Sequence, residues 1–285
     1  HIAENLKIDL ELHFKKRFKD VIKYFNYIRM NRIAPAAVKI KTLKSCVMMS
    51  LLHNCEAFGP RIPDGLEEVY HKMLRAALGV RSNCPKLTML IEAGCLPLRC
   101  LIYSRQLNYF RRFKLSLQTN GTRDIVFSHL LSNSSSYLNH YKQLDNKYAT
   151  SDKLKAEHHS ELQSRIRTLG GSDCHYKYWM YLKLNPNLTP SPFLNRIDSV
   201  GKTITKFRLG SHKLKIETGR WSRVLRVNRL CDTCGVLGDE AHVVYHCSEI
   251  RRDDLNIPGE MSSLWEYEGV NVLFKRIMNA GYTTP

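Results

Sequence analysis

The chain has 285 residues, 43% hydrophobic and 25% charged, with 44 Lys and Arg against 26 Asp and Glu for a net charge of +18. This composition excludes a disordered acidic tail and a small disulfide-stapled domain, because the length and apolar content suffice for one large core or two ordinary ones. The excess of cations favours a polyanionic partner held through counterion release, with nucleic acid the first candidate and an anionic membrane surface the second.

No run of about 18 apolar residues is present, and charges throughout the first thirty residues leave no apolar signal-peptide core. The expectation is therefore an intracellular protein of the nucleus or cytoplasm, without a membrane partner. The chain begins with His1, which fits an excised or processed fragment. Asn-x-Ser/Thr sequons at Asn120, Asn133 and Asn187 carry no meaning outside a secretory context. Cys46, Cys55, Cys84, Cys95, Cys100 and Cys174 are scattered through apolar or helical patterns and read as reduced core thiols.

In chain order, Leu10, Phe14, Phe18, Val21, Phe25 and Ile28 recur at helical spacing, with Lys15, Lys16, Lys19, Lys23 and Arg29 off the stripe. Pro35 suits the first turn of a second helix lined by Ile40, Leu43, Val47 and Leu51, which Gly59-Pro60 ends. A third follows a capping-box-like pair, Asp64 and Glu67, carries Leu66, Val69, Tyr70, Met73, Leu74, Ala77 and Leu78, and stops at Gly79. Pro85 and Pro97 open two more. The second of these places Tyr103, Leu107, Phe110 and Leu117 on one face and Arg105, Arg111 and Arg112 elsewhere.

These five predicted helices make a helical bundle over 1–120. The polar stretch from Ser132 reads as linker or weak helix, and a helix is predicted over Lys153–Leu169, within a 121–195 linker that also holds the aromatic run YKYWMYLKLNP. Residues 196–229 carry ten Lys or Arg against Asp198 and Glu217 alone, and open a small basic module spanning 196–250. Residues 251–285 form a tail with one predicted helix. The expected fold class is mainly α: an N-terminal helical bundle followed by a small basic zinc-knuckle module.

The module's chemistry is concentrated in CDTCGVLGDEAHVVYHC. Thiolate sulfur and imidazole nitrogen are preferred ligands of Zn²⁺, and Cys231-x2-Cys234-x7-His242-x4-Cys247 supplies four. Chance places this spacing in a chain of such composition with a probability on the order of 10⁻³. His246 competes with Cys247 for the fourth position, since His-x3-His is also a zinc spacing; Cys247 is favoured because the two-histidine finger separates its pairs by about twelve residues. Four protein ligands imply a structural Zn²⁺, with no open position for hydrolysis.

Other chemistry is sparse. Asp253-Asp254 lacks the preceding aromatic residue of a polymerase carboxylate pair and reads as a solvated charge pair. His158-His159 and His175 have no partners at usable spacing, and no phosphate loop, nucleophile elbow or Cys-His nucleophile signature occurs.

SLLHNCEAFG, LEEVYHKMLRAALGV and MLIEAGCLPLRCLIYSRQLNYFRRF together resemble the region after the polymerase core in reverse transcriptases of non-LTR (LINE-type) retrotransposons. There an LLYGCEAW-like helix precedes an HRKMLRxLLGV-like helix and an ExGxxPL turn. The stretch KFRLGSHKLKIETGRWSRVLRVNRLCDTCGVLGDEAHVVYHC is similar to the same family's basic segment and CCHC zinc module, so the resemblance covers roughly 35–250. It implies Cys231, Cys234, His242 and Cys247 as zinc ligands and a thumb-like, template-gripping role for the helices before residue 120. The family's catalytic aromatic-x-Asp-Asp hairpin would lie in a polymerase core upstream of residue 1, and no PD…(D/E)xK endonuclease pattern follows the zinc site.

The expected function is thus a non-catalytic, RNA- and/or DNA-binding C-terminal portion of such an enzyme. Arg208, Lys213, Lys215, Arg220, Arg223, Arg226 and Arg229 are the candidate phosphate contacts, with Trp221 and His212 as stacking groups. The competing expectation is a zinc-containing protein-interaction or regulatory module derived from a retroelement.

Overall fold

The computed structural model describes residues 10–31, 33–58, 60–63, 65–118, 136–170 and 189–282. The chain is mainly α, as its periodicities predict, and no strand occurs among the described residues. Helices α1 (Leu10–Met30), α2 (Ala36–Thr42), α3 (Met48–Leu51), α4 (Leu66–Leu78), α5 (Lys86–Glu92) and α6 (Leu98–Gln118) are followed by α7 (Ser136–Lys147), α8 (Ser151–Gly170), α9 (Ser199–Arg208), α10 (Lys215–Trp221) and α11 (Val270–Asn279). None is long and apolar enough to cross a membrane. Asp64, Cys174, His175 and the YKYWMYLKLNP run lie outside the described residues.

Two compact units emerge, each assembled from separated stretches: 1–31, 41–73 and 96–162 in one, and 32–40, 74–95 and 163–285 in the other.

In the first unit α1 buries Val21 and Ile28 and packs against α3 and the π-helical turn Leu43–Val47 that precedes it. That turn inserts one extra residue into an otherwise continuous helical path, and Leu43, Val47, Met48 and Leu51 still face the core. α6 packs on the 3₁₀ turn Cys55–Phe58 and on α7. Cys100, Leu107, Leu144, Tyr148 and Leu154 form a buried cluster beneath Leu96 and Tyr103.

The α6 arginines depart from a simple basic face. Arg105 donates to Glu56 at 3.1 Å, and Arg111 donates to Asp145 at 2.8 Å and to the Tyr148 carbonyl. Arg112 alone of the three is exposed. Gln106 donates to the Cys55 carbonyl at 3.1 Å and lies 3.1 Å from His140 Nε2. Cys55, Cys84, Cys95 and Cys100 are buried thiols, whereas Cys46 is exposed, contrary to its expected place in the core. Burial pushes the Cys55 thiol up to about 12, assisted by Glu56.

In the second unit α9 and α11 pack through their apolar faces: Val200, Ile204 and Phe207 against Val270, Leu273, Phe274 and Ile277. Phe207 and Phe274 meet edge to face with centroids 5.0 Å apart. Asp198 caps α9, accepting from Gly201 N at 2.9 Å while Arg196 holds it through two bonds of 2.8 Å.

Arg208 closes the same helix from inside. Its Nε donates to Glu92 Oε2 at 2.9 Å and its Nη2 lies 2.8 Å from the same oxygen, with the Glu92 side chain fully buried. The Trp265 ring lies against the guanidinium, its centroid 4.6 Å away. The expectation of Arg208 as a phosphate contact therefore meets a guanidinium already committed to an interior carboxylate.

Arg208→Ala would leave Glu92 buried and unpaired, and is expected to destabilise the protein by about 3–5 kcal/mol in urea denaturation. Asp198→Ala should cost about 1 kcal/mol through loss of the cap. The Arg196 guanidinium, together with the Gly201 amide, brings the Asp198 carboxyl to about 2, below the ordinary value of 3.8. A group lowered on folding stabilises above its unfolded pKa, so this modest, partly exposed contribution should disappear as pH falls from about 4 to 2. A thermal melt series across that range checks it by comparing wild type with Asp198→Ala.

Candidate metal centre and basic surface

The knuckle grows out of α10 through a short, tightly bonded path. Ile216 N donates to Gly238 O at 3.0 Å, and an isolated bridge pairs Leu230 with Leu237. Within the CxxC turn Cys231 N donates to Val236 O at 2.7 Å and Gly235 N to Cys231 O at 2.9 Å. Gly235 takes φ +67°, a left-handed conformation that costs glycine little. Asp239 then accepts from His242 N at 2.9 Å and starts the π-helical turn His242–His246, after which Cys247 N returns to His242 O at 2.7 Å.

This path brings one ligand atom from each of Cys231, Cys234, His242 and Cys247 within 4.8 Å of the others. The Cys231–Cys247 and Cys234–Cys247 sulfur separations are 4.0 and 3.9 Å. A tetrahedron with Zn–S bonds of about 2.3 Å has edges of roughly 3.8 Å, so the sulfur cage has a size compatible with Zn²⁺. His242 is buried and its Nε2 makes no hydrogen bond, an orphaned nitrogen of the kind a metal ligand requires. Cys247, not His246, completes the cluster; His246 is exposed, beside the Tyr245 ring.

Groups around the cage support it. Tyr282 Oη lies 3.2 Å from Cys247 Sγ and 3.5 Å from Cys231 Sγ, and donates to Glu249 at 2.9 Å. Thr233 also donates to Glu249, tying the CxxC turn to the segment after Cys247. Burial opposes ionisation of Cys231, but the neighbouring Tyr282 hydroxyl and hydrogen bonds from the Cys234 and Thr233 amides outweigh it and hold the thiol below its ordinary value. Burial raises the Cys247 thiol.

Arg252 gathers the main chain behind the ligands. Its guanidinium donates to the carbonyls of Val243, Val244, Cys247 and Ile250 at 2.5–2.7 Å. Asp254, expected as half of a solvated pair, forms a two-pronged ion pair with Arg276 of α11 at 2.6 and 2.7 Å.

The basic residues before the knuckle separate into two groups. Besides Arg208, Arg229 is structural, donating to Val224 O at 2.9 Å and Ile216 O at 3.0 Å. Lys215 pairs with Asp232 at 2.8 Å and Arg220 with Glu217 at 2.5 Å, though both cations retain exposed surface. Lys213, Arg223 and Arg226 are exposed.

The expected stacking groups are not presented to solvent as open rings. His212 is buried, with Nε2 2.9 Å from Glu240 and Nδ1 accepting from Leu214 N, which assigns the proton to Nε2. Trp221 lies beneath Arg81, whose guanidinium is 4.1 Å from the ring centroid.

Sequence reasoning missed Tyr282, Glu249 and Arg252. Arg252 offers no local signal because all four acceptors are main-chain carbonyls. Asp239, three residues before His242, could have been read as a cap.

Comparison of the chain with protein-family models, curated proteins and solved structures finds no match.

The protein is expected to bind about one equivalent of metal, to lose it in Cys234→Ser and Cys247→Ser, and to retain it in His246→Ala. Metal content by mass spectrometry and the visible spectrum of a cobalt-substituted sample check the ligand set. Full retention in Cys247→Ser would exclude the assignment. Arg252→Lys, which cannot span four carbonyls, should lower the unfolding free energy by about 2 kcal/mol without changing the ligands.

Proposed function

We propose that this chain is a non-catalytic, nucleic-acid-binding C-terminal portion of a non-LTR retrotransposon reverse transcriptase, with a structural Zn²⁺ anchoring its basic surface. The observation that carries the reading is the direct coupling of a Cys-Cys-His-Cys cluster to a cationic segment. α10 is bonded to the knuckle through Ile216 N and Gly238 O, and Lys215 reaches Asp232 inside the CxxC turn. Lys202, Lys213, Lys215, Arg220, Arg223 and Arg226 are exposed along this segment.

The chemistry follows from the ligand count and the charge. Four protein ligands leave no coordination position for water, so Zn²⁺ would stabilise a small fold instead of activating a nucleophile. Its energetic effect would be to fix the α10–knuckle geometry and hold the cations in register for a phosphate backbone. The chain's net charge of +18 adds a long-range field that accelerates encounter with a polyanion. Sequence resemblance supplies the family, and the polymerase chemistry belongs to a core expected upstream.

Binding to RNA and DNA should weaken by about 10³-fold between 50 and 200 mM salt, as expected for roughly six neutralised phosphates. Combined replacement of Lys213, Arg223 and Arg226 by Ala should reduce the slope of log affinity against log salt by about 2–3. Fluorescence anisotropy over a salt series measures both. Undetectable or salt-insensitive binding, or a protein pull-down that survives nuclease while nucleic acid is not retained, would overturn this reading in favour of an interaction module.

A further inference from the structure

Between α10 and the knuckle, residues Ser222–Asn228 are all exposed. The stretch SRVLRVN contains two arginines and no acidic residue. Its apolar side chains are not folded inward: Leu225 is 71% exposed and Val227 73%. Val224, Leu230 and Val236 are also exposed, which extends the apolar surface toward the knuckle. Leu225 and Val227 project into solvent, whereas Ser222, Val224, Asn228 and Leu230 line a depression between α10 and the CxxC turn.

The projection is held rigidly. Arg229 reaches back to the carbonyls of Val224 and Ile216, crossing α10 at Gly219, where a Cβ would lie 2.6 Å from Arg229 Cγ. Asn228 N bonds Leu225 O at 3.0 Å and Arg229 N bonds Arg226 O at 3.1 Å, closing the 3₁₀ turn Arg226–Asn228. Arg223 occupies the left-handed region at φ +58°, with Val224 N bonded to Gly219 O at 2.8 Å. A glycine would adopt this turn with less strain, so an arginine here favours a role for its side chain in solvent.

We propose that Arg223–Leu230 is a wedge: Leu225 and Val227 enter a base step of a nucleic-acid duplex while Arg223 and Arg226 hold the flanking phosphates. The proposal rests on the nucleic-acid reading above and adds a location and a mode of contact. Apolar side chains inserted between bases partly unstack a step and bend the duplex, and neighbouring cations draw the bent backbone onto the protein. The rigid turn presents the inserting groups already ordered, so little conformational freedom is lost on contact. Charge complementarity selects a polyanion as partner, and the projecting shape selects one that opens to receive a side chain.

The test uses the full zinc-loaded chain and an end-labelled duplex of about 20 base pairs containing flexible TA and CA steps. Energy transfer should report a bend of roughly 20–90° for the wild type. Leu225→Ala combined with Val227→Ala should abolish the bend while lowering affinity at low salt by no more than about tenfold. Leu225→Trp should preserve bending, with its fluorescence quenched on binding by stacking against bases.

Binding without a bend, or an unchanged bend in the double-alanine variant, would overturn the wedge while leaving the nucleic-acid reading intact. Loss of binding to phosphatidylserine vesicles in that variant, with duplex bending unchanged, would reassign the tip to a membrane surface. No duplex or single-strand binding by the wild type at all would remove the broader reading and the wedge together.

Discussion

The ion pair between Arg208 and Glu92 organises the second unit, because an interior carboxylate forces every element that satisfies it into one place. Glu92 ends α5, Arg208 ends α9, and they are 116 residues apart in sequence. The Glu92 main-chain carbonyl also accepts from Ser191 N at 2.9 Å, fixing the segment that leads into α9. Trp265 packs against the guanidinium and in turn contacts Phe274 of α11. Burying two charges is costly, so the site survives only with its hydrogen bonds intact. The requirement makes these four elements interdependent.

The same arginine chemistry recurs at different scales. Arg252 collects four carbonyls behind the ligand cage, and Arg229 joins two carbonyls at the base of the 222–230 turn. A planar fork of donors can bridge main-chain segments that lack regular partners, which a lysine's point charge cannot do with equal geometry. These interior assignments leave Lys213, Arg223 and Arg226 with exposed charge. A high arginine count therefore overstates the exposed cationic surface, since part of it is the scaffold that gives the remainder its shape.

Around the ligand cage, the polar support comes from both sides of the cysteine-histidine segment. Thr233 and Tyr282 converge on Glu249, while Tyr282 also approaches two sulfurs. Such outer groups constrain the ligands' orientation and the local dielectric, so they influence any bound metal without contacting it. The 222–230 tip gains rigidity from the same framework, because the Leu230–Leu237 bridge joins it to the CxxC turn.

Periodicity determined the helices because alternating burial at three- and four-residue spacing is a local property: Val21 and Ile28 of α1 and Leu66, Tyr70, Met73 and Leu74 of α4 all face their cores. Spacing likewise picked out the four residues that cluster, since a CxxC turn and a His-x4-Cys turn each bring two metal-ligating side chains close together through short-range backbone geometry. The tertiary structure decided which cations are exposed, why His212 is buried against Glu240, and how Tyr282 and Arg252 support the cage. Those outcomes depend on partners dozens of residues away or on main-chain carbonyls common to every residue type. Charge is written in the sequence, but whether a guanidinium meets water or a buried carboxylate is fixed only when the chain brings its distant acceptor within hydrogen-bond reach.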